Sequence, residues 1–211
     1  MTVLSATTGE PVTTTARRNR LGLWLCIVSD AAGTVALLVA YSYLWSLNVS
    51  GGWAPPKDTW ASPGPFWIIV IAIIISAALM WWGVRGIERG HTGRLISAAS
   101  LASIIVLVTF VGQIIQLATF PFGPSDGAYA SATYWLALAT AAHLLILLFL
   151  VVAILNRTRR GLISPANPHH ARLIAMWITW ICVAAFLGAV FATTMTQSPN
   201  VNAPAFGTFQ E

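Results

Sequence analysis

Five long apolar runs, separated by short turns rich in Pro, Gly or Arg, dominate this sequence of 211 residues. Each run approaches the ~20 apolar residues that an α-helix needs to cross a bilayer core of ~30 Å. The chain is 57% hydrophobic and only 8% charged, which is too apolar for a soluble domain of this length. The sequence therefore predicts an all-α, polytopic integral membrane protein. The spans are expected near residues 21–47, 66–87, 93–120, 131–156 and 171–196.

The basic residues predict how the five helices are oriented. All ten arginines lie in the N-terminal tail, at the turn between the second and third helices, or at the turn between the fourth and fifth, whereas Lys57 lies in the first loop. If the helices alternate in direction, the arginines share one side of the membrane, and the positive-inside rule makes that side cytoplasmic. We therefore expect a cytoplasmic N-terminal tail over residues 1–20 and an outer, extended tail over residues 197–211. Nucleic acid is not an expected partner, because the basic residues form no single face or stripe.

The turns predict which helices are neighbours. The turns over 85–94 and 121–127 are short, so the second and third helices, and the third and fourth, should be antiparallel neighbours. The loop over 48–57 contains a Gly pair and a Pro pair and cannot be helical throughout. Trp53 and Trp60 are expected at the headgroup boundary. Trp135, Trp177 and Trp180 are expected on lipid-facing or partner-facing surfaces.

Four segments occur in an order that resembles a known family. The first helix begins LGLWLCIVSD at 21–30, and the next loop reads GGWAPP at 51–56. ERG at 88–90 is followed by GR at 93–94 and GQ at 112–113, and YAS at 129–131 precedes His143. The order resembles that of subunit III of the haem-copper (cytochrome c) oxidases in its five-helix bacterial form, which reads LGLWLFxxSE, GGxWPP, ERG, GQxxEY and YGSxFYxxTGFHGLHV. The resemblance covers about residues 21–190.

The chain departs from that family at several polar positions. Gln116-Leu117 replaces a Glu-Tyr pair, and Thr140 replaces the first His of FHGLH. In the last helix, where the family reads WHFVDxVW, only Trp180 has a counterpart. The resemblance is to a divergent member, and the functions that the family attributes to the lost residues are not carried over to this chain.

The resemblance implies a non-catalytic accessory subunit of a respiratory terminal oxidase in the bacterial inner membrane. In that family the subunit stabilises the catalytic subunit I, which works with subunit II, binds phospholipid between its helices, and supports proton uptake. Haem and copper are then expected in the partner catalytic subunit and no cofactor in this chain. Arg85, Arg89, Arg94 and Trp53 are the candidates for contacting lipid or a partner.

Asp30 stands out even without the resemblance. It follows Arg20 by about ten residues, which places it ~15 Å into the bilayer, near the midplane. A carboxylate there costs several kcal/mol unless it is neutralised, hydrated or paired, so it is a functional-site candidate. The family resemblance implies more, because Asp30 matches the position of the family's buried, carbodiimide-reactive Glu. The alternative is a protonated Asp that holds two helices together by a hydrogen bond.

His143 is expected at nearly the same depth in the membrane as Asp30. It lies ~21 Å from the arginine-rich side, slightly beyond the midplane. Each residue otherwise lacks an obvious polar partner at its depth, so we predict that Asp30 and His143 share a polar contact, direct or through water.

The sequence predicts no metal site and no catalytic centre. His91, His169 and His170 lie in turns, which leaves His143 alone in the membrane and unable to form a bis-His haem site. No nucleophile with a base, phosphate loop or carboxylate pair is present. Two alternatives remain open. One is an accessory subunit of a nitric oxide reductase, and the other is a small transporter or channel built around Asp30, although the chain lacks paired broken helices.

Overall fold

The computed structural model describes residues 9–55, 57 and 59–199 of the chain. This part contains five α-helices, each long and apolar enough to cross a membrane. They are α1 (Val12–Leu47), α2 (Pro63–Glu88), α3 (Thr92–Ala118), α4 (Ala128–Arg159) and α5 (His169–Thr194). The predicted all-α, five-helix membrane fold is confirmed. Most of the predicted outer tail, from residue 200 onward, lies outside the described residues, as do residues 1–8 of the N-terminal tail.

Helix α1 begins earlier than the span expected at 21–47. It follows Pro11 and starts at Val12, so the second half of the predicted N-terminal tail is helical. No proline interrupts the sequence from there to Leu47, and Arg18 forms an ion pair with Glu10 at 2.9 Å. Its 36 residues would extend for ~54 Å, more than the ~30 Å of a bilayer core. The apolar run marks only the part of this helix that fits a membrane.

Four of the helices form a ring, and α1 lies outside it. In the ring, α2 packs against α3, α3 against α4, α4 against α5, and α5 against α2, while α1 contacts α4 and α5. The predicted neighbours, α2 with α3 and α3 with α4, are confirmed. Only 11% of the most apolar stretch of α1 is buried, compared with 28–44% in the other four helices. Helix α1 is therefore the one that depends most on a few specific contacts for its position.

Small residues allow α2 and α3 to approach closely near the arginine-rich end of the bundle. A Cβ added to Gly83 would lie 2.7 Å from the Cβ of Ala98, and one added to Gly86 would lie 2.6 Å from the Cδ of Arg94. Ala99 and Ala102 are also fully buried. Membrane helices pack in this way because association without a hydrophobic driving force depends on close van der Waals contact.

At the arginine-poor end, the loop after α1 caps the start of α4. Asn48 adopts a left-handed conformation with φ of 36°, and its side-chain oxygen accepts a hydrogen bond from the backbone N–H of Trp53. The carbonyls of Gly52 and Trp53 accept the N–H groups of Ala128 and Tyr129. These bonds satisfy donors in the first turn of α4 that lack partners within the helix.

Trp53 was predicted to contact lipid or a partner, but it is buried. Only 1% of it is exposed, and its Nε1 donates a hydrogen bond to the carbonyl of Thr196 at 2.9 Å. Its ring makes edge contacts with Tyr41 and Tyr129 at centroid distances of 5.2 and 5.7 Å. An aromatic cluster of α1, α4 and the loop encloses this side chain, so it joins the helices within the bundle.

Candidate functional site

A cleft of about 940 Å³ opens between α1 and α4, and Trp177 of α5 also lines it. Small residues create it, including Gly33 on α1 and Ala139 and Ala142 on α4. Because these side chains are short, the two helices can lie side by side without filling the space between them. The walls are mainly apolar. Asp30 and His143 are the ionisable pair that lines them.

Asp30 and His143 are in direct contact in this cleft. The Nε2 atom of His143 lies 2.9 Å from Oδ1 of Asp30, so the predicted polar contact is confirmed. The side chain of Asp30 is 28% exposed and that of His143 is 14% exposed. Both are therefore partly buried in the wall of the cleft. Asp30 is the only acidic residue of α1, and His143 is the only histidine of α4. The contact therefore joins the two ionisable groups that the sequence places near mid-membrane.

Trp180 is a third member of the site that the sequence did not reveal. Its Nε1 donates a hydrogen bond of 2.6 Å to Oδ2 of Asp30. The prediction that Trp180 lies on a lipid-facing or partner-facing surface overlooked this bond. Both carboxylate oxygens of Asp30 thus have a partner, one on α4 and one on α5. This site links α1 to the two ring helices that it touches.

Trp177, one helical turn before Trp180, adds a donor close to the site. It lines the same cleft, and its Nε1 has no hydrogen-bond partner within the part of the chain that the structure describes. A buried N–H without an acceptor is costly.

The three arginines that are candidates for contacting lipid or a partner lie at the arginine-rich end of the bundle. Arg85 and Arg89 are exposed at the end of α2. Arg94 is partly buried, and its guanidinium lies 5.3 Å from the ring centroid of Trp82, a cation–π contact. Glu88 in the same turn is paired with Arg172 of α5. Arg85 and Arg89 are thus free to meet lipid headgroups, whereas Arg94 also packs against the protein.

The structure places the remaining histidines away from Asp30. His169 and His170 stack on each other at the start of α5, with ring centroids 3.9 Å apart. Across the described residues, no three His, Cys, Asp or Glu side chains come together in a group that could hold a metal ion.

Comparison with known proteins does not assign this chain to a family. No protein-family model matches it, and a search of curated proteins gave no significant match. The findings therefore establish a five-helix, multi-pass membrane protein with a polar contact site on the wall of a cleft.

Proposed function

We propose that this chain is a non-catalytic accessory subunit, similar to subunit III, of a bacterial respiratory haem-copper terminal oxidase. The observation that carries the proposal is the site around Asp30. A carboxylate stands at the position where the family has its buried acid, in contact with His143 at 2.9 Å. It lies on the wall of a cleft of about 940 Å³. Intramembrane ionisable residues with such partners mark functional sites by default.

The cleft suits the lipid-binding role. Its walls are mainly apolar and it lies between two helices that would face the bilayer, so acyl chains can enter from the side. Arg85 and Arg89 are exposed at the arginine-rich end and are placed to contact anionic headgroups or the inner surface of a partner. In this proposal the orientation has the N-terminus in the cytoplasm and the C-terminus outside, as the arginines predict.

The contact between Asp30 and His143 suits a role in proton uptake. A carboxylate and an imidazole within hydrogen-bond distance can exchange a proton. Trp180 holds the second carboxylate oxygen, which fixes the orientation of Asp30 toward His143. Haem and copper belong to the partner catalytic subunit I in this proposal. The chain's own part is to stabilise that subunit, bind phospholipid and hold a proton at Asp30.

The experiment compares assembled complexes that carry wild-type chain, Asp30→Asn or Asp126→Asn. Asp126→Asn is a matched control because it makes the same change from a carboxylate to an amide in an exposed loop. There Asp126 accepts a hydrogen bond from the N–H of Gly123. We expect Asp30→Asn to slow oxygen consumption and proton uptake, and Asp126→Asn to leave both unchanged. Equal rates in the Asp30→Asn and wild-type complexes would contradict the proton-uptake role. A proton flux through the isolated chain in vesicles, abolished by Asp30→Asn, would instead favour a transporter.

A further inference from the structure

Open space lies on both sides of α1 near the level of Asp30. On one side is the cleft toward α4, which Asp30 lines. On the other side is a groove of about 310 Å³, lined by Trp24 and Ile27 of α1 and by Trp180 of α5. Oδ1 of Asp30 shares a hydrogen bond with His143, which lines the cleft. Oδ2 accepts a hydrogen bond from Trp180, which lines the groove. The carboxylate of Asp30 therefore stands between the two spaces.

Little else holds the middle of α1 against the bundle. Among residues 20–37, all of which the structure describes, Ile27 is the one buried side chain. The side-chain hydrogen bonds that this described stretch makes to other helices are the two of Asp30. Because both bonds end on one carboxylate, its removal would release this stretch from α4 and α5 at once.

The two ends of α1 are attached independently of Asp30. Toward the arginine-poor end, Tyr41 is buried in the aromatic cluster with Trp53. In the next turn, Nε1 of Trp45 donates a hydrogen bond of 2.7 Å to the carbonyl of Gln197, beyond the end of α5. Toward the arginine-rich end, Thr15 is buried. The middle of α1 is therefore a span between two attached ends.

The length of this span sets how far its middle can move. Thr15 and Tyr41 are about 26 residues apart, which corresponds to ~39 Å of helix. Long helices curve with radii of ~60–100 Å, and bending a straight helix of this length to that curvature moves its midpoint by ~2–3 Å. The midpoint falls at Val28, close to Asp30. Such a movement would lengthen both Asp30 contacts beyond hydrogen-bond distance.

We propose that Asp30 is a latch that holds the middle of α1 against α4 and α5, and that its release lets this segment bend outward and joins the cleft to the groove. Helix α1 then has two positions, a closed one in which both bonds of Asp30 are made and an open one in which neither is made. The latch belongs to this chain alone and does not depend on the proposed oxidase function.

Distances between spin labels, measured by double electron–electron resonance, report this movement in purified full-length protein in nanodiscs. The labels are attached to introduced cysteines after both native cysteines have been replaced by alanine. The middle pair, Val28→Cys with Ile104→Cys, joins the middle of α1 to α3, which lies across the ring from α1. The reference pair, Val39→Cys with Ile115→Cys, joins the attached arginine-poor part of α1 to α3. All four positions are exposed, so the labels do not disturb the core.

Asp30→Ala removes both bonds of the latch, and Asp126→Ala makes the same change in an exposed loop as a matched control. We expect Asp30→Ala to lengthen the distance of the middle pair by ~2–3 Å and to leave that of the reference pair unchanged. Asp126→Ala should change neither distance. An unchanged middle pair in Asp30→Ala, equal lengthening of both pairs, or lengthening in Asp126→Ala would overturn the proposal.

A second variant keeps the test decisive if Asp30→Ala does not fold. Trp180→Phe keeps an aromatic ring on α5 but removes one of the two bonds of the latch. We expect its middle pair to show two distances, the original one and one that is longer by ~2–3 Å. A single, unchanged distance in Trp180→Phe would overturn the proposal.

Discussion

The contact between Asp30 and His143 should contribute measurably to the stability of the bundle. Polar contacts between membrane helices average ~0.6 kcal/mol and reach ~1.7 kcal/mol in double-mutant cycles. The 2.9 Å separation and the partial burial of both side chains favour a coupling free energy in the upper half of that range. Because the cleft is open, this coupling free energy should stay below the maximum. We expect a coupling free energy of about 1 kcal/mol. Because α1 is the least buried helix, the loss should appear as weaker attachment of α1.

The assay is reversible unfolding in mixed micelles with increasing sodium dodecyl sulfate, followed by tryptophan fluorescence. Wild type, Asp30→Asn, His143→Phe and the double variant complete one cycle. A control cycle pairs Asp30→Asn with Trp53→Phe, which alters a site in the aromatic cluster that shares no partner with Asp30. The control should be additive within ~0.5 kcal/mol. A coupling below ~0.3 kcal/mol between Asp30 and His143, no larger than the scatter between independent sites, would refute the reasoning.

Three further changes have expected outcomes in the same assay. Gly83→Val should destabilise the bundle by about 1–3 kcal/mol, because its Cβ would meet Ala98 at 2.7 Å; wild-type stability would contradict the close approach of α2 and α3. Trp53→Phe should lower the free energy of unfolding by about 1 kcal/mol, because it removes a hydrogen bond to a backbone carbonyl. Trp135→Phe should lower it much less, because that side chain is 58% exposed. Equal losses would count against the buried position of Trp53. Glu88→Gln should cost at most ~1 kcal/mol and lose its effect in high salt, since its ion pair is at the surface; an effect independent of salt would show another cause.

The five helices could be predicted from the sequence because a bilayer imposes a length on each apolar run. Their ends were less predictable. Helix α1 continues to Val12 through a stretch of Thr and Arg residues that carries no membrane signal. A helix that leaves the bilayer no longer needs apolar residues, so hydropathy cannot mark its end.

The depth of the site was predictable, but part of its membership was not. Counting residues from the arginines placed Asp30 and His143 near the same level, and the structure brings them into contact. Trp180 escaped prediction because depth does not tell which face of a helix points toward which neighbour. That information comes from the packing of α1 in the groove between α4 and α5.

The burial of Trp53 could not be predicted from the sequence. A tryptophan in a loop next to a membrane helix is typical of an interface anchor, and composition alone supports that interpretation. The ring is instead enclosed by Tyr41 and Tyr129, and the loop carbonyls cap α4. Its burial results from contacts between α1, the loop and α4 that are distant in sequence.

The most direct test of the proposed accessory role is to identify what the chain binds in its native membrane. Tagged protein is extracted in mild detergent, the co-purifying chains are identified, and a dithionite-reduced minus oxidised optical spectrum is recorded. The proposal predicts a haem-copper oxidase catalytic subunit together with haem a or haem b bands. A nitric oxide reductase catalytic subunit would contradict the oxidase assignment while retaining an accessory role. A colourless preparation with no such subunit would contradict the accessory role itself.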